Sequence, residues 1–382
     1  MIVPIGKFRL SLTGENSHTV NISAGQGGFS IAPKKMGEKA DAYVDADTPI
    51  QWTAFNGLEV PAGGNWPRGF YYIGNDSSFI EWSKRHEIEN FVWKLLAPAS
   101  VDFTNAQIRH LSGHNNGFEF SIKLDNTYLR SVVLGGNPDK ITIESAMGVK
   151  NITFGIETDK KSNEPVVLPH FPALKDIERI EISMPIIGQA FDCGSLLQFK
   201  QLKSVTLWGS LCNFEALAQM PQLTAIGVRY CPDMTGFPPL STWKDLNYFI
   251  VWNAEELTGK RLKEELKEVN KTHSFEYASV SQLRKKTWFA TEYNIPFTNW
   301  EGKNGREAMK AYKAALKAIK KAKDEKEAKG FLVALMQVIN NLPNIETEER
   351  ADTAEALQQL AACAPFTIKE EKVQEWFEEY ID

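Results

Sequence analysis

Four stretches of the chain share one apolar rhythm, and few folds can accept it. Phe171/Leu174/Ile177/Ile180/Ile182 is followed by Leu196/Phe199/Leu202/Val205/Leu207, then Leu217/Met220/Leu223/Ile226/Val228 and Leu240/Trp243/Leu246/Phe249/Val251. Apolar residues stand at −6, −3, 0, +3 and +5 about the centres 177, 202, 223 and 246, which lie 25, 21 and 23 residues apart. At 43% hydrophobic residues, chance would fill about 9 of these 20 slots; all 20 are filled. The +3 and +5 residues are two apart and so point to the same face of a short strand. The −6, −3 and 0 residues form an irregular or helical turn packed behind it. One such unit cannot bury its apolar face alone, whereas stacked units share a continuous core.

Two weaker units precede these four, at Leu129/Val132/Leu134 and Val149/Ile152/Phe154. A polar, turn-rich insert, 159–165, separates them from the strong ones and reads as a surface loop. A period of about 20–29 residues with LxxLxL at its heart resembles the leucine-rich-repeat proteins, here of an irregular, bacterial kind. The resemblance implies a short curved solenoid over about 125–257, built for binding rather than chemistry. The family carries Asn or Cys at the ninth position of each unit. Here those positions hold Pro185, Ser210, Cys231 and Ala254, so only Cys231 conforms. An ordinary α/β domain with coincidental spacing is the competing reading.

The expected fold is therefore α/β, a leucine-rich-repeat solenoid between two flanking domains. Residues 1–100 read as a β-rich α+β cap: Phe8/Leu10/Leu12 and Val20/Ile22 alternate as strands. Ser78-Phe-Ile-Glu81 reads as a capping box opening a helix that runs to Leu96. Residues 101–273 hold the solenoid, closed by a helix carrying Leu257, Leu262, Leu266 and Val269. Residues 274–382 read as a small bundle, with helices near 305–323, 326–341, 347–363 and 369–380.

Composition narrows the function. A net charge of −5 makes no global case for nucleic acid or an anionic membrane. The first residues lack a basic segment followed by a long apolar one, so no signal peptide is expected. The longest apolar runs, such as Phe331-Leu-Val-Ala-Leu-Met336, fall far short of a bilayer span. Four cysteines make no disulfide framework, which suits a reducing cytoplasm. Cys193, Cys212 and Cys231 read as buried structural thiols. Gly25-Gln-Gly-Gly-Phe-Ser30 lacks the Gly-Lys-Ser/Thr ending of a phosphate loop, and Asp45-Ala-Asp47 reads as a turn. His110 and His114 have metal-ligand spacing only on a helix, which Gly113 disfavours. No cofactor and no metal are expected. Residues 303–329 carry ten Lys/Arg against four Asp/Glu, with Lys310, Lys313, Lys317 and Lys320 in one stripe, while 346–382 carry eleven acids against three bases. Oppositely charged segments of one bundle most simply face each other or solvent, so nucleic acid is not an expected partner.

In the family, residues between and just after the inward positions line the concave face. Those slots hold Arg179, Glu181, Ser183 and Met184; Ser204, Thr206, Trp208 and Gly209; Ala225, Gly227, Arg229 and Tyr230; and Tyr248, Ile250, Trp252 and Asn253. Trp208, Arg229, Tyr230, Tyr248, Ile250 and Trp252 thus form a candidate protein-binding patch, of the residue types that dominate hot spots. The expected function is a cytoplasmic, non-catalytic protein-binding scaffold: an adaptor or an immunity-type protein that masks a partner. The alternative is an enzyme with its site in the β-rich N-terminal region and the solenoid selecting its substrate.

Overall fold

The computed structural model describes residues 1–37, 39–61, 63–158, 162–293, 295–300 and 302–380. Two compact units divide the chain, Met1–Lys286 and Thr287–Asp382. In the first, β1 (Gly6–Leu10) and β2 (His18–Ile22) form an antiparallel hairpin. Next come β3 (Gly28–Ala32), β4 (Ala42–Tyr43), β5 (Gly69–Ile73), α1 (Phe79–Ser83), β6 (Ile88–Lys94), β7 (Ala99–Asp102) and β8 (Ile108–His114). They are followed by β9 (Phe120–Lys123), β10 (Ser131–Gly136), β11 (Ile141–Ser145), β12 (Asn151–Ile156), β13 (Arg179–Ser183), β14 (Phe191–Asp192) and β15 (Ser204–Trp208). The unit ends with β16 (Leu211–Cys212), β17 (Ala225–Arg229), β18 (Tyr248–Trp252), α2 (Glu256–Val269) and β19 (Tyr277–Ser281).

Twelve of these strands build one sheet, ordered β4-β3-β5-β6-β8-β10-β12-β13-β15-β17-β18-β19 and parallel throughout. This corrects the expected fold class. The short curved solenoid under a separate α+β cap is replaced by one α/β sheet whose strands begin at Gly28 and end at Ser281. Residues 1–100 supply four of its strands instead of a cover for its edge.

Register explains the apolar rhythm. Ile180, Val205, Ile226 and Phe249 lie side by side across β13, β15, β17 and β18, and so do Ile182, Leu207, Val228 and Val251. None of the twenty rhythmic residues is more than 4% exposed. The −6 and −3 positions sit on or beside 3-10 turns such as 193–198, 214–219 and 240–242, which supply the layer behind the sheet. Toward the N-terminal end that layer contains the three-stranded parallel sheet β7-β9-β11. There Phe120 of β9 packs over Gly113 of β8 so closely that a Cβ at Gly113 would meet its ring at 2.9 Å. The N-terminal core is aromatic: Trp52 lies 5.5 Å from both Phe70 and Tyr72 and 5.7 Å from Phe79, ring centre to ring centre.

The helix expected from Ser78 to Leu96 stops after five residues, and β6 replaces the rest. Ser78 makes no capping bond; its hydroxyl donates to Asp76 Oδ2 instead. Phe91, Trp93 and Leu95, two apart, all turn inward, and a period of two outweighs the helical reading. The helix α2 forms as expected, but Leu257 is 80% exposed. The Glu255 side chain accepts from Leu257 and Thr258 backbone N–H groups, which orients that first turn. Of the polar insert, residues 159–161 lie outside the described residues.

Beyond α3 (Lys286–Thr291), the second unit contains α4 (Gly302–Ile319), α5 (Glu325–Asn340), α6 (Thr347–Ala361) and α7 (Glu370–Tyr380). Their apolar faces meet in a separate core that includes Tyr312, Ile319, Leu332, Met336, Leu357, Leu360 and Trp376. No helix among the described residues is long and apolar enough to cross a membrane.

Two substitutions test the stacking. Leu223→Ala, in a fully buried row, should lower the unfolding free energy by about 2–5 kcal/mol. Exposed Gln222→Ala should change it by less than about 0.5 kcal/mol. Chemical denaturation of the two variants, compared with wild type, reads both values; equal values would refute the inward assignment.

Candidate functional site

The face of the sheet opposite the core carries three rows of side chains. From β12 to β19 the first row reads Asn151, Arg179, Ser204, Ala225, Tyr248 and Tyr277. The second reads Thr153, Glu181, Thr206, Gly227, Ile250 and Ser279, and the third Gly155, Ser183, Trp208, Arg229, Trp252 and Ser281. The six residues singled out from the sequence all lie on this face or, for Tyr230, at its edge just beyond β17. Tyr248 is exposed, and the other five are half-buried. The last slots are corrected: Met184, Gly209 and Asn253 are buried, because the chain bends back at the strand ends. Gly209, Tyr230 and Asn253 take the left-handed conformation there, with φ of 90°, 50° and 50°. At Gly209 a Cβ would come within 2.2 Å of the Met184 carbonyl oxygen, so no other residue fits that bend.

Two parts of the surface differ in chemistry. At the C-terminal strand ends, the Arg229 guanidinium carbon lies 5.3 Å from the Trp208 ring centre. Trp208 stacks on Tyr230 at 5.5 Å, and Tyr230 meets Trp252 edge-on at 5.0 Å. Trp208 Nε1 and Arg229 Nε are buried with no hydrogen-bond partner among the described residues. Leaving buried donors unpaired costs about 1–3 kcal/mol each.

Toward the N-terminal strand ends, a groove of about 680 Å³ opens over Glu181, Thr206, Ala225, Gly227, Arg229 and Tyr248. Its depth comes from Ala225 and Gly227, whose small size leaves the sheet backbone as floor. One rim is a fixed charge cluster, with Glu178 between Lys150 at 3.2 Å and Lys203 at 3.1 Å. Those two lysines, Lys203 foremost, hold the Glu178 carboxyl below its ordinary range. Burial does the opposite to Glu181 and pushes its carboxyl up, against a weaker pull from Arg229. The other rim is Tyr248 with Asn247 and Glu276; Tyr277, on the next strand, lies 5.6 Å from the Tyr248 ring, centre to centre. The rhythm in the sequence placed Glu181, Ala225 and Gly227 among its outward slots but left them out of the candidate patch, and it did not reach Tyr277. Parallel register is what assembles them.

The remaining sequence candidates fall into structural roles. His110 and His114 share a face of β8, but four residues along a strand separate them by about 13 Å, too far to share a metal. His110 Nδ1 lies 2.7 Å from Ser131 Oγ, and His114 Nε2 lies 3.1 Å from Glu157. Cys193 and Cys231 are buried as expected, whereas Cys212 is only half-buried; all three are free of disulfides, and desolvation raises each thiol, which makes them poor nucleophiles. No group of three His, Cys, Asp or Glu among the described residues could hold a metal ion. Gly28-Phe-Ser30 is itself the start of β3, so a strand and not a helix follows Gly25 and Gly27, and no helix N-terminus is there to receive a phosphate. Lys310, Lys313 and Lys317 of the stripe lie exposed on α4, and Lys320 lies exposed in the turn just after it. Among the described residues the acids of 346–382 do not cover the stripe in ion pairs: the bridges of this segment are Glu379 with Lys329 and, in the reverse sense, Lys372 with Glu325.

No family model, no curated protein and no solved structure matches the chain.

Glu181 supplies a test by pH. A carboxyl raised in the folded state binds its proton more tightly there than in the unfolded chain, so ionising it opposes folding. That penalty is absent well below the ordinary value of 4.5 and complete above the raised one. Glu181→Gln should therefore be more stable than wild type near pH 7, with the gap closing as the pH falls below 4.5. Urea denaturation across pH measures it. A variant less stable than wild type at pH 7 would mean that Arg229, not burial, governs this carboxylate.

Proposed function

We propose that the chain is a non-catalytic protein-binding scaffold whose docking surface is the outward face of β13–β18. The observation that carries this reading is Arg229. It is half-buried, lies over Trp208 and makes no ion pair among the described residues. Aromatic and Arg side chains grouped in this way are the usual centre of a protein interface. A partner supplying a carboxylate or carbonyl there would offset the desolvation that Arg229 already bears. The groove beside it would admit a side chain of that partner.

An adaptor and an immunity-type protein that masks its target both use such a face. Four unpaired thiols suit a reducing cytoplasm. An enzyme site in the N-terminal region has less support. The carboxyl shifted there, Glu87, lies exposed and is held low by Tyr128 and Arg109, whereas a general acid needs a raised one.

Capture from native lysate with wild type and variants in parallel tests the proposal. Trp208→Ala and Trp252→Ala should each weaken the captured complex by about 2 kcal/mol, roughly thirtyfold in Kd. Gly227→Leu should block the groove while the sheet stays folded, because position 227 faces away from the core. Partners retained equally by all three folded variants would place the docking surface elsewhere.

A further inference from the structure

We propose that α4 binds the phosphate backbone of a nucleic acid through its exposed basic face, independently of the sheet. Lys303, Arg306, Lys310, Lys313 and Lys317 of α4, and Lys320 in the turn that follows its last residue, succeed one another at intervals of three, four, three, four and three residues. On a helix that spacing aligns side chains on one face, about 5–6 Å apart. The row is about 25 Å long at 1.5 Å per residue. All six residues are exposed. Lys313 pairs with Glu292 at 2.8 Å; the other five form no ion pair among the described residues.

Of the two simple accounts of these charges, the segments facing each other or facing solvent, the stripe follows the second: among the described residues the acids of 346–382 form no ion pair with it. The opposite face of α4, with Ala308, Tyr312, Ala315 and Ile319, is buried in the helical core. The helix therefore cannot roll its apolar side into a lipid surface. Met309 and Leu316 flank the stripe on one side, but both are half-buried and pack against the helical core, so an acidic protein helix would find a row of charge there and little apolar surface. A regular row of cations and nothing else matches a regular row of phosphates, and it carries no means of reading bases. Glu307, half-exposed beside Lys303, and Glu292, paired with Lys313, weaken this field, as do Asp324, Glu325 and Glu327 just beyond Lys320 in the chain.

The test uses the full chain and a mixed-sequence 20-base-pair DNA duplex, followed by fluorescence anisotropy. Five free cations predict a log–log salt slope near −4 to −5, so affinity should fall several hundredfold between 50 and 200 mM salt. Lys310→Glu/Lys317→Glu/Lys320→Glu should abolish binding at 50 mM salt while keeping the wild-type circular dichroism spectrum. A matched charge reversal on α2, Lys260→Glu/Lys263→Glu/Lys267→Glu, should leave binding within about twofold at that salt. Equal losses in the two triple variants would show a mere net-charge effect and overturn the proposal. So would undetectable binding by wild type, or displacement of the DNA by polyglutamate at equal charge concentration, which would identify an acidic protein as the partner.

Discussion

In-register parallel pairing is the constraint on which the first unit depends. Side chains on a strand alternate between faces, so a slip of one residue anywhere would exchange the buried rows for the outward ones. Ile180, Val205, Ile226 and Phe249 enforce the register from inside, as do Ile182, Leu207, Val228 and Val251. Once these rows are aligned, the outward rows have no freedom of their own. Arg229 must stand between Trp208 and Trp252, and Gly227 between Thr206 and Ile250. The candidate site is thus a by-product of the core.

The same constraint decides what could be read in the sequence. Between 171 and 251 the period is nearly constant and each slot is filled by a large apolar residue, so strand direction and inward face follow from spacing alone. Nearer the N-terminus the alternation is present, as in Phe29/Ile31, Phe70/Tyr72 and Phe91/Trp93, but the intervals vary. Aromatic side chains fill there the volume that regular turns fill later. Ser78 and Glu81 carried a capping pattern that Asp76 and the neighbouring strands overrode. Local signals lost to tertiary pairing at that point.

The six patch residues were legible because outward positions follow from inward ones. Glu181 was placed among the outward slots but left out of the patch. Its character comes from burial between neighbouring strands and from the nearness of Arg229, neither of which has a local signature. The bare lysine stripe was likewise legible as a pattern but not as a free surface, since sequence alone cannot say which acids lie opposite which bases.

Tyr230 brings a consequence of its own. It occupies a left-handed bend, as Gly209 does one strand earlier and Asn253 one strand later. Gly enters that conformation freely and Asn with little difficulty, whereas for a bulky side chain it costs roughly 1–2 kcal/mol. Tyr230 holds it with its ring between two indoles. A glycine at 230 would relax the backbone and leave Trp208 and Trp252 without the ring that joins them. Thermal stability and the shape of the patch are therefore set against each other at this one position, and a sequence selected for stability alone would be drawn away from tyrosine there.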